Sequence, residues 1–270
     1  MSVAEEIREE QRKALSTMSF KEKVLYFWDY YKVHTLVAIV VLIMAITFIY
    51  QYITNKDYGF YAAFVNASLT ESNYELATSW AEEFQEFAQI DPDEYVVYID
   101  TSISLSDDTG SQYAVSNQEK MLALLQVGAV STIVADTETF EKYAQNEYFY
   151  DLESLLSPEE LQKYGAYLYY TDASTFDDGS DDTFHDESER TNPADLTVNH
   201  RASSSMAQPV AVGLILSEDN KLADAGYYTY LSDNEYIYQG YPADVVLGIP
   251  VTNQDPQWVI RFLEYLQLGN

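Results

Sequence analysis

Two neighbouring polar residues, Asp136 and Thr137, follow directly on the short apolar run Ser131–Ala135, "STIVA". A carboxylate and a hydroxyl at the end of a strand are well placed to accept and donate hydrogen bonds to a bound polar molecule. In open α/β sheets, ligands gather beyond the carboxyl ends of strands. A helix-like segment follows, and then Tyr148 and Tyr150 stand near Asp151. Tyrosine offers a broad contact face with a polar tip, which suits recognition of peptides, sugars or protein surfaces. Asp136, Thr137, Tyr148 and Tyr150 are therefore the candidate ligand-binding residues. The competing reading is a strand-to-helix joint with ordinary core packing.

Other chemistry finds little support. None of the three histidines, His34, His185 and His200, has a second His or Glu four residues away within a helical pattern; Glu189 follows His185 at that spacing, but in the Asp- and Ser-rich stretch. No G-x-S-x-G or phosphate-binding G-x-x-x-x-G-K-[ST] sequence occurs. The stretch Thr171–Arg190 is rich in Asp and Glu, and such oxygen-rich loops can take calcium. It does not match the D-x-[DN]-x-[DN]-G register, so no metal is assigned. With no cysteine, thiol chemistry and disulfides are excluded. The expectation is a non-enzyme with no cofactor; an unrecognised hydrolase is the weakest alternative.

The elements that must hold these residues can be read outward. Thr35–Asn55 carries no charge and is dense in Leu, Ile and Val. About 20 such residues span a bilayer as a helix. Trp28, Tyr30 and Tyr31 precede it, and Tyr50 and Tyr52 close it, as interfacial aromatics do. The 34 residues before it and the absence of a following small-x-small site favour an uncleaved anchor over a cleaved leader. Lys21, Lys23 and Lys32 before the run outnumber Lys56 after it, which predicts a cytoplasmic amino terminus. Phe20, Val24, Phe27 and Tyr31 suggest an interfacial amphipathic helix within residues 1–34; the plainer reading is one continuous helix.

Charge is divided sharply. Residues 1–35 balance Arg8, Arg12, Lys13, Lys21, Lys23 and Lys32 against Glu5, Glu6, Glu9, Glu10, Glu22 and Asp29, so the formal charge of −30 belongs to the remainder. Such a domain repels nucleic acid and attracts cationic partners.

From 56 to 270, strands are expected at Tyr58–Val65, Tyr95–Ile103, Ser131–Ala135, Val210–Leu216 and Val245–Val251. A helix after a Ser72/Glu75 capping box should bury Leu76, Trp80, Phe84, Phe87 and Ile90. A second, capped by Ser116 and Glu119, should bury Met121, Leu122, Leu124 and Leu125 and stop at Gly128. "SPEE" starts another at Ser157, and Asp255–Pro256 a last one burying Val259, Phe262, Leu263 and Leu266. "SDDTGS" at 106–111 should break the chain, and 172–205 should be a flexible acidic insertion. Alternation of strands and helices means an α/β fold with a mixed, largely parallel sheet and flanking helices.

"GAVSTIVADTETFEKYAQNEYFYDLESLLSPEELQKY" and "DVVLGIPVTNQDPQWVIRFLEYLQ" resemble segments of bacterial extracellular solute-binding proteins. "MSFKEK…YFWDYYKVHTL" followed by "DYGFYAAFVNA" resembles single-pass membrane-anchored proteins of gut Firmicutes. Only Ser217–Asp244 separates the last two strands, too little for a second lobe, so the resemblance implies a reduced single lobe. It implies an outer-surface binding module at the cell membrane; with the acidic field, a cationic peptide is the natural ligand, and docking on a membrane transport or envelope complex, with a multi-pass membrane protein as partner, is the other role. A scaffold protein of the envelope without a small ligand is the alternative.

Overall fold

A computed structural model describes residues 9, 12, 16–54, 56–68, 70–105, 112–176, 197–231 and 236–269. The expected break at 106–111, the acidic stretch 177–196 with His185, and the side chains of Phe27, Tyr30 and Tyr52 lie outside the described residues. The chain forms two compact units, Met1–Asn55 and Lys56–Asn270.

In the first unit, α1 (Phe20–Thr54) is one unbroken helix of 35 residues. Met18–His34 thus contributes no separate helix; its helical residues simply lengthen α1. At about 1.5 Å per residue the helix is roughly 50 Å long, more than a hydrocarbon core of about 30 Å. The stretch Tyr31–Gln51 is long and apolar enough to cross a membrane, and none of it is buried in the protein. Leu36, Ile43, Met44 and Phe48 all stand exposed.

The second unit is a six-stranded sheet between two layers of helices. Its elements are β1 (Asp57–Phe64), α2 (Glu71–Ala88), β2 (Tyr95–Asp100), α3 (Gln112–Gln126), β3 (Thr132–Asp136), α4 (Thr137–Ala144), α5 (Leu152–Leu155), α6 (Pro158–Tyr164), β4 (Leu168–Asp172), β5 (Pro209–Ile215), α7 (Lys221–Asp224), β6 (Ile237–Tyr238), β7 (Tyr241–Pro242), β8 (Val245–Gly248) and α8 (Gln257–Tyr265). The strand order is β2-β1-β3-β8-β5-β4. The β2-β1-β3 half is parallel, while β8 and β4 run against their neighbours. Four strands therefore share one direction, and the second half of the sheet pairs antiparallel. A small hairpin, β6-β7, stands apart.

β1 is apolar on both faces because it is central. Phe60, Ala62 and Phe64 join one core with α2 and α8, and Tyr61, Ala63 and Val65 join the other with α3 and α4. On the first side Phe262 of α8 packs against Phe60 at 5.0 Å and Phe84 at 5.1 Å. On the second, Phe140 of α4 stacks on Phe149 at 4.3 Å. Two glycines make room for it: a Cβ at Gly248 would stand 2.7 Å from both rings, and one at Gly213 would stand 2.8 Å from Phe140.

Several local expectations shift. α2 is capped by Thr70, whose hydroxyl accepts from Asn73 N at 3.1 Å, and Ser72 bonds to Thr70 instead of capping. Trp80, Phe84 and Ile90 are buried as expected, but Phe87 is largely exposed beneath Arg261. Ser116 lies inside α3, so it caps nothing; the stop at Gly128 holds, with φ of 68°. Met121 and Leu125 are buried, whereas Leu122 is exposed. Ser157 and Glu160 form the reciprocal capping box, with Pro158 opening α6. β4 is a strand where the sequence shows only a tyrosine cluster.

The ends of the acidic insertion are tied down. Asp172 accepts from Ser174, Ala207 and Gln208 backbone N–H groups. Burial works against its charge, but these bonds, with the Ser174 hydroxyl, prevail and hold it at about 2. Arg201 grips Asp244, at 2.9 Å from Nε and 2.5 Å from Nη2. Of the described residues 197–205, His200 is buried, while Ser203–Ser205 stand exposed.

Candidate functional site

The carboxyl ends of β3 and β5 and the amino end of β8 meet at one rim of the sheet. A cavity of about 680 Å³ opens there. Its wall includes Thr137 after β3, Ser217 after β5, Asp244 before β8, and Tyr238 and Tyr241 from the hairpin. His200 and Arg201 close another side. Ligand pockets usually enclose about 300–1,000 Å³, so the size suits a small molecule or the end of a peptide.

Thr137 and Asp244 lock this rim. Thr137 N donates to Asp244 O at 2.9 Å, and its hydroxyl accepts from Asp244 N at 2.7 Å. The Asp244 carboxylate takes the Ser217 hydroxyl at 2.8 Å as well as Arg201. A cation and an anion thus stand together at the mouth, already paired.

Asp136 turns away from this cavity. Its buried carboxylate caps α4, accepting from Thr139 N at 2.9 Å and Thr139 Oγ1 at 3.0 Å. Asn66 Nδ2 at 3.1 Å and the Tyr230 hydroxyl at 3.3 Å complete its shell. It does border a shallower depression with Glu138, Lys142 and Tyr236. The sequence pair is thereby split: Thr137 lines the large cavity and Asp136 holds the joint.

Tyr148 and Tyr150 are elsewhere. α4 carries the chain back along the sheet, so Phe149 bridges to Pro250, beyond the opposite end of β8. Tyr148 packs on the α3–α4 side and lines a separate hollow with Leu122, Lys142 and Tyr143. Tyr150 packs on the other side of the sheet, its hydroxyl donating to Asn253 O at 3.2 Å. The four candidate residues are therefore not gathered into one site.

The feature that sequence reasoning missed lies behind the cavity wall. Glu141 of α4 is buried, with Tyr169 OH donating to it at 2.9 Å and Thr171 donating to its other oxygen. Burial pushes the Glu141 carboxyl upward, and His200, Thr171 and Tyr169 oppose that rise. His200 Nδ1 is 3.8 Å from Glu141 and 2.7 Å from Tyr170 O. Its ring lies parallel to Tyr169 at 4.6 Å, and Nε2 faces Gln239 Oε1 at 2.6 Å. His200 is buried.

A second buried carboxylate, Asp100, closes β2. Lys120 at 2.7 Å, Tyr61 OH at 2.5 Å and Ser102 surround it. Burial alone would raise its pKa, but those hydrogen bonds outweigh it and hold the group below its ordinary value. Asp100 and Lys120 thus form an ion pair that ties β2 to α3. Among the described residues no group of three or more His, Asp or Glu is placed to hold a metal ion. No family model, curated protein or solved structure matches the chain.

Proposed function

We propose that this chain is a membrane-anchored binding module. In this reading α1 spans the bilayer with its amino-terminal side in the cytoplasm. The acidic α/β unit lies outside, as a reduced single lobe of the solute-binding type, and does no catalysis. Its ligand sits in the cavity at the ends of β3 and β5. One observation carries the reading: a cavity of about 680 Å³ occupies the strand-end position where α/β sheets place ligands, with Thr137, Tyr238, Tyr241 and Asp244 converging on it.

The chemistry favours a cationic peptide. The unit bears the whole formal charge of −30, which draws positive ligands, although exposed charges farther apart than about 8 Å are screened near 0.15 M salt. Specificity must then come from contacts. Glu218 offers a carboxylate at the cavity, Asp244 being held by Arg201 and Ser217, and Tyr241, partly exposed, offers an aromatic face for a Lys or Arg side chain.

The test uses the full chain in nanodiscs and a fluorescent Lys/Arg-rich pentapeptide. Binding should weaken as salt rises and fall severalfold in Tyr241→Ala, with Tyr148→Ala, at the far end of the sheet, unaffected. Binding unchanged in Tyr241→Ala but lost in Tyr148→Ala would move the site to the α3–α4 hollow. No binding by the wild type would refute the peptide reading. Protease added to intact wall-stripped cells should remove a carboxyl-terminal tag; survival of the tag would reverse the orientation.

A further inference from the structure

The hairpin that walls the cavity breaks a local rule. Tyr238 pairs with Tyr241, so Gln239 and Gly240 form a two-residue turn, and both have positive φ, 49° and 83°. Such turns favour Asn, Asp or Gly at the first position. A Gln in the left-handed region costs backbone energy without the short side chain's local hydrogen bond. Here its side chain is buried instead, reaching His200 Nε2 at 2.6 Å and the Tyr238 hydroxyl at 3.3 Å.

The proton count on these groups is restrictive. Tyr170 O can only accept, so His200 Nδ1 carries a hydrogen in every state. Nε2 then decides how Gln239 sits. With Gln239 Oε1 toward the ring, Nε2 must also carry a hydrogen, and the imidazole is charged. Gln239 Nε2 then donates to the Tyr238 oxygen, leaving the Tyr238 O–H to point at the cavity. When Nε2 loses its proton, the amide must turn over: its N–H₂ donates to the bare nitrogen, and its oxygen accepts the Tyr238 O–H.

The geometry points to a proton-set switch in the cavity wall, in which His200, through Gln239, makes Tyr238 a hydrogen-bond donor to the ligand when charged and an acceptor when neutral. Other charges face this relay from each element packed on it. Glu141 of α4 stands 3.8 Å from Nδ1, the nearest carboxyl to the ring. Tyr169 of β4 stacks on it, Arg201 and Asp244 hold the adjoining rim, and Glu138 and Asp136 act on Tyr238. The inference deepens the proposed function only in taking the cavity as the ligand site; the relay itself exists without a ligand.

It is tested without one. The full chain in detergent micelles, carrying isotope-labelled His, Gln and Tyr, is followed by NMR from pH 5 to 9. His200→Gln and Tyr238→Phe assign the resonances. Neutral His200 should be the Nδ1–H tautomer, the opposite of the usual form in solution. The Gln239 side-chain amide and the hydroxyl-bearing ring carbon of Tyr238 should shift with the same midpoint as His200. Gln239→Met should uncouple Tyr238 from His200, and Tyr241→Phe should not. A neutral His200 in the Nε2–H form, a Gln239 amide that stays still while His200 titrates, or a His200 fixed in one state throughout would each overturn the switch. The wild-type titration decides even if Gln239→Met does not fold. Failure of peptide capture would leave these results untouched, so the two readings fail separately.

Discussion

Asp136→Ala tests whether this carboxylate is a joint. Removing it deletes the cap of α4, about 1 kcal/mol and up to roughly 2. It also removes a negative charge from a helix amino terminus, worth about 0.3–1 kcal/mol. The remaining donors are not all stranded. Asn66 Nδ2 keeps Thr139 Oγ1 at 2.9 Å, and Tyr230 is exposed enough to turn to water. Thr139 N loses its acceptor, which is the cap itself, and the buried Thr139 hydroxyl loses its acceptor too, a further cost of about 1 kcal/mol. The sum is roughly 2–4 kcal/mol. Asp136→Asn keeps an acceptor for Thr139 N and should lose under about 1 kcal/mol. Urea unfolding of the full chain in micelles, followed by near-ultraviolet circular dichroism, gives both values; with a slope of about 3 kcal/mol/M the Ala variant should unfold roughly 1 M earlier. Peptide capture per folded molecule should be unchanged in both. An Ala variant within about 0.5 kcal/mol of wild type, or an Asn variant as damaged as Ala, would refute the capping account.

Glu141 gives a prediction in pH. Its folded pKa is raised by burial, so the folded state holds that proton more tightly than the unfolded chain. The group's contribution to stability is complete below the ordinary glutamate value of 4.5 and is lost as pH rises through the raised one. The melting temperature of Glu141→Gln relative to wild type should therefore climb as pH rises from 4 to 8; a flat or falling difference would contradict it. Trp80→Ala, which empties a site between Tyr227 at 5.5 Å and Tyr265 at 6.2 Å, should cost about 3–5 kcal/mol in the same urea assay, with Tyr148→Ala costing far less.

What could be read from the chain was what short spacing encodes. Ser157, Pro158 and Glu160 act within one turn, and the box formed as expected. Ser72 and Glu75 satisfy the same pattern, yet Thr70 two residues earlier wins the cap, because the pattern does not say where the helix begins. The strand-end rule placed Thr137 at a cavity. Tyr148 and Tyr150 stand away from that cavity because the eight residues of α4 return the chain to the other end of the sheet. Short separation in sequence there means long separation in space. His200 was illegible for the converse reason: its Gln239 partner is 39 residues away, and only the fold joins them. β4 was hidden because its tyrosines face the core as Tyr169 and the margin as Tyr170, which reads as a cluster and not as alternation.

The place of β8 has a consequence for the order in which the domain can assemble. This strand sits between β3 and β5 and pairs with both, yet among the described strands it comes last in the sequence. As synthesis proceeds from the amino end, β1, β2 and β3 can form a parallel half-sheet, and β4 and β5 a hairpin-like pair. Neither half has its neighbour until residues 245–248 arrive, so the inner edges of β3 and β5 stay open until then. Its pairing partners lie far back in the sequence, and such non-local closure is slow. The unit must therefore wait for β8 with two adhesive strand edges exposed, and a chain cut short before Val245 would keep them for good. The dense acidic charge of the same unit supplies, during that wait, the repulsion between copies that keeps open edges from finding each other.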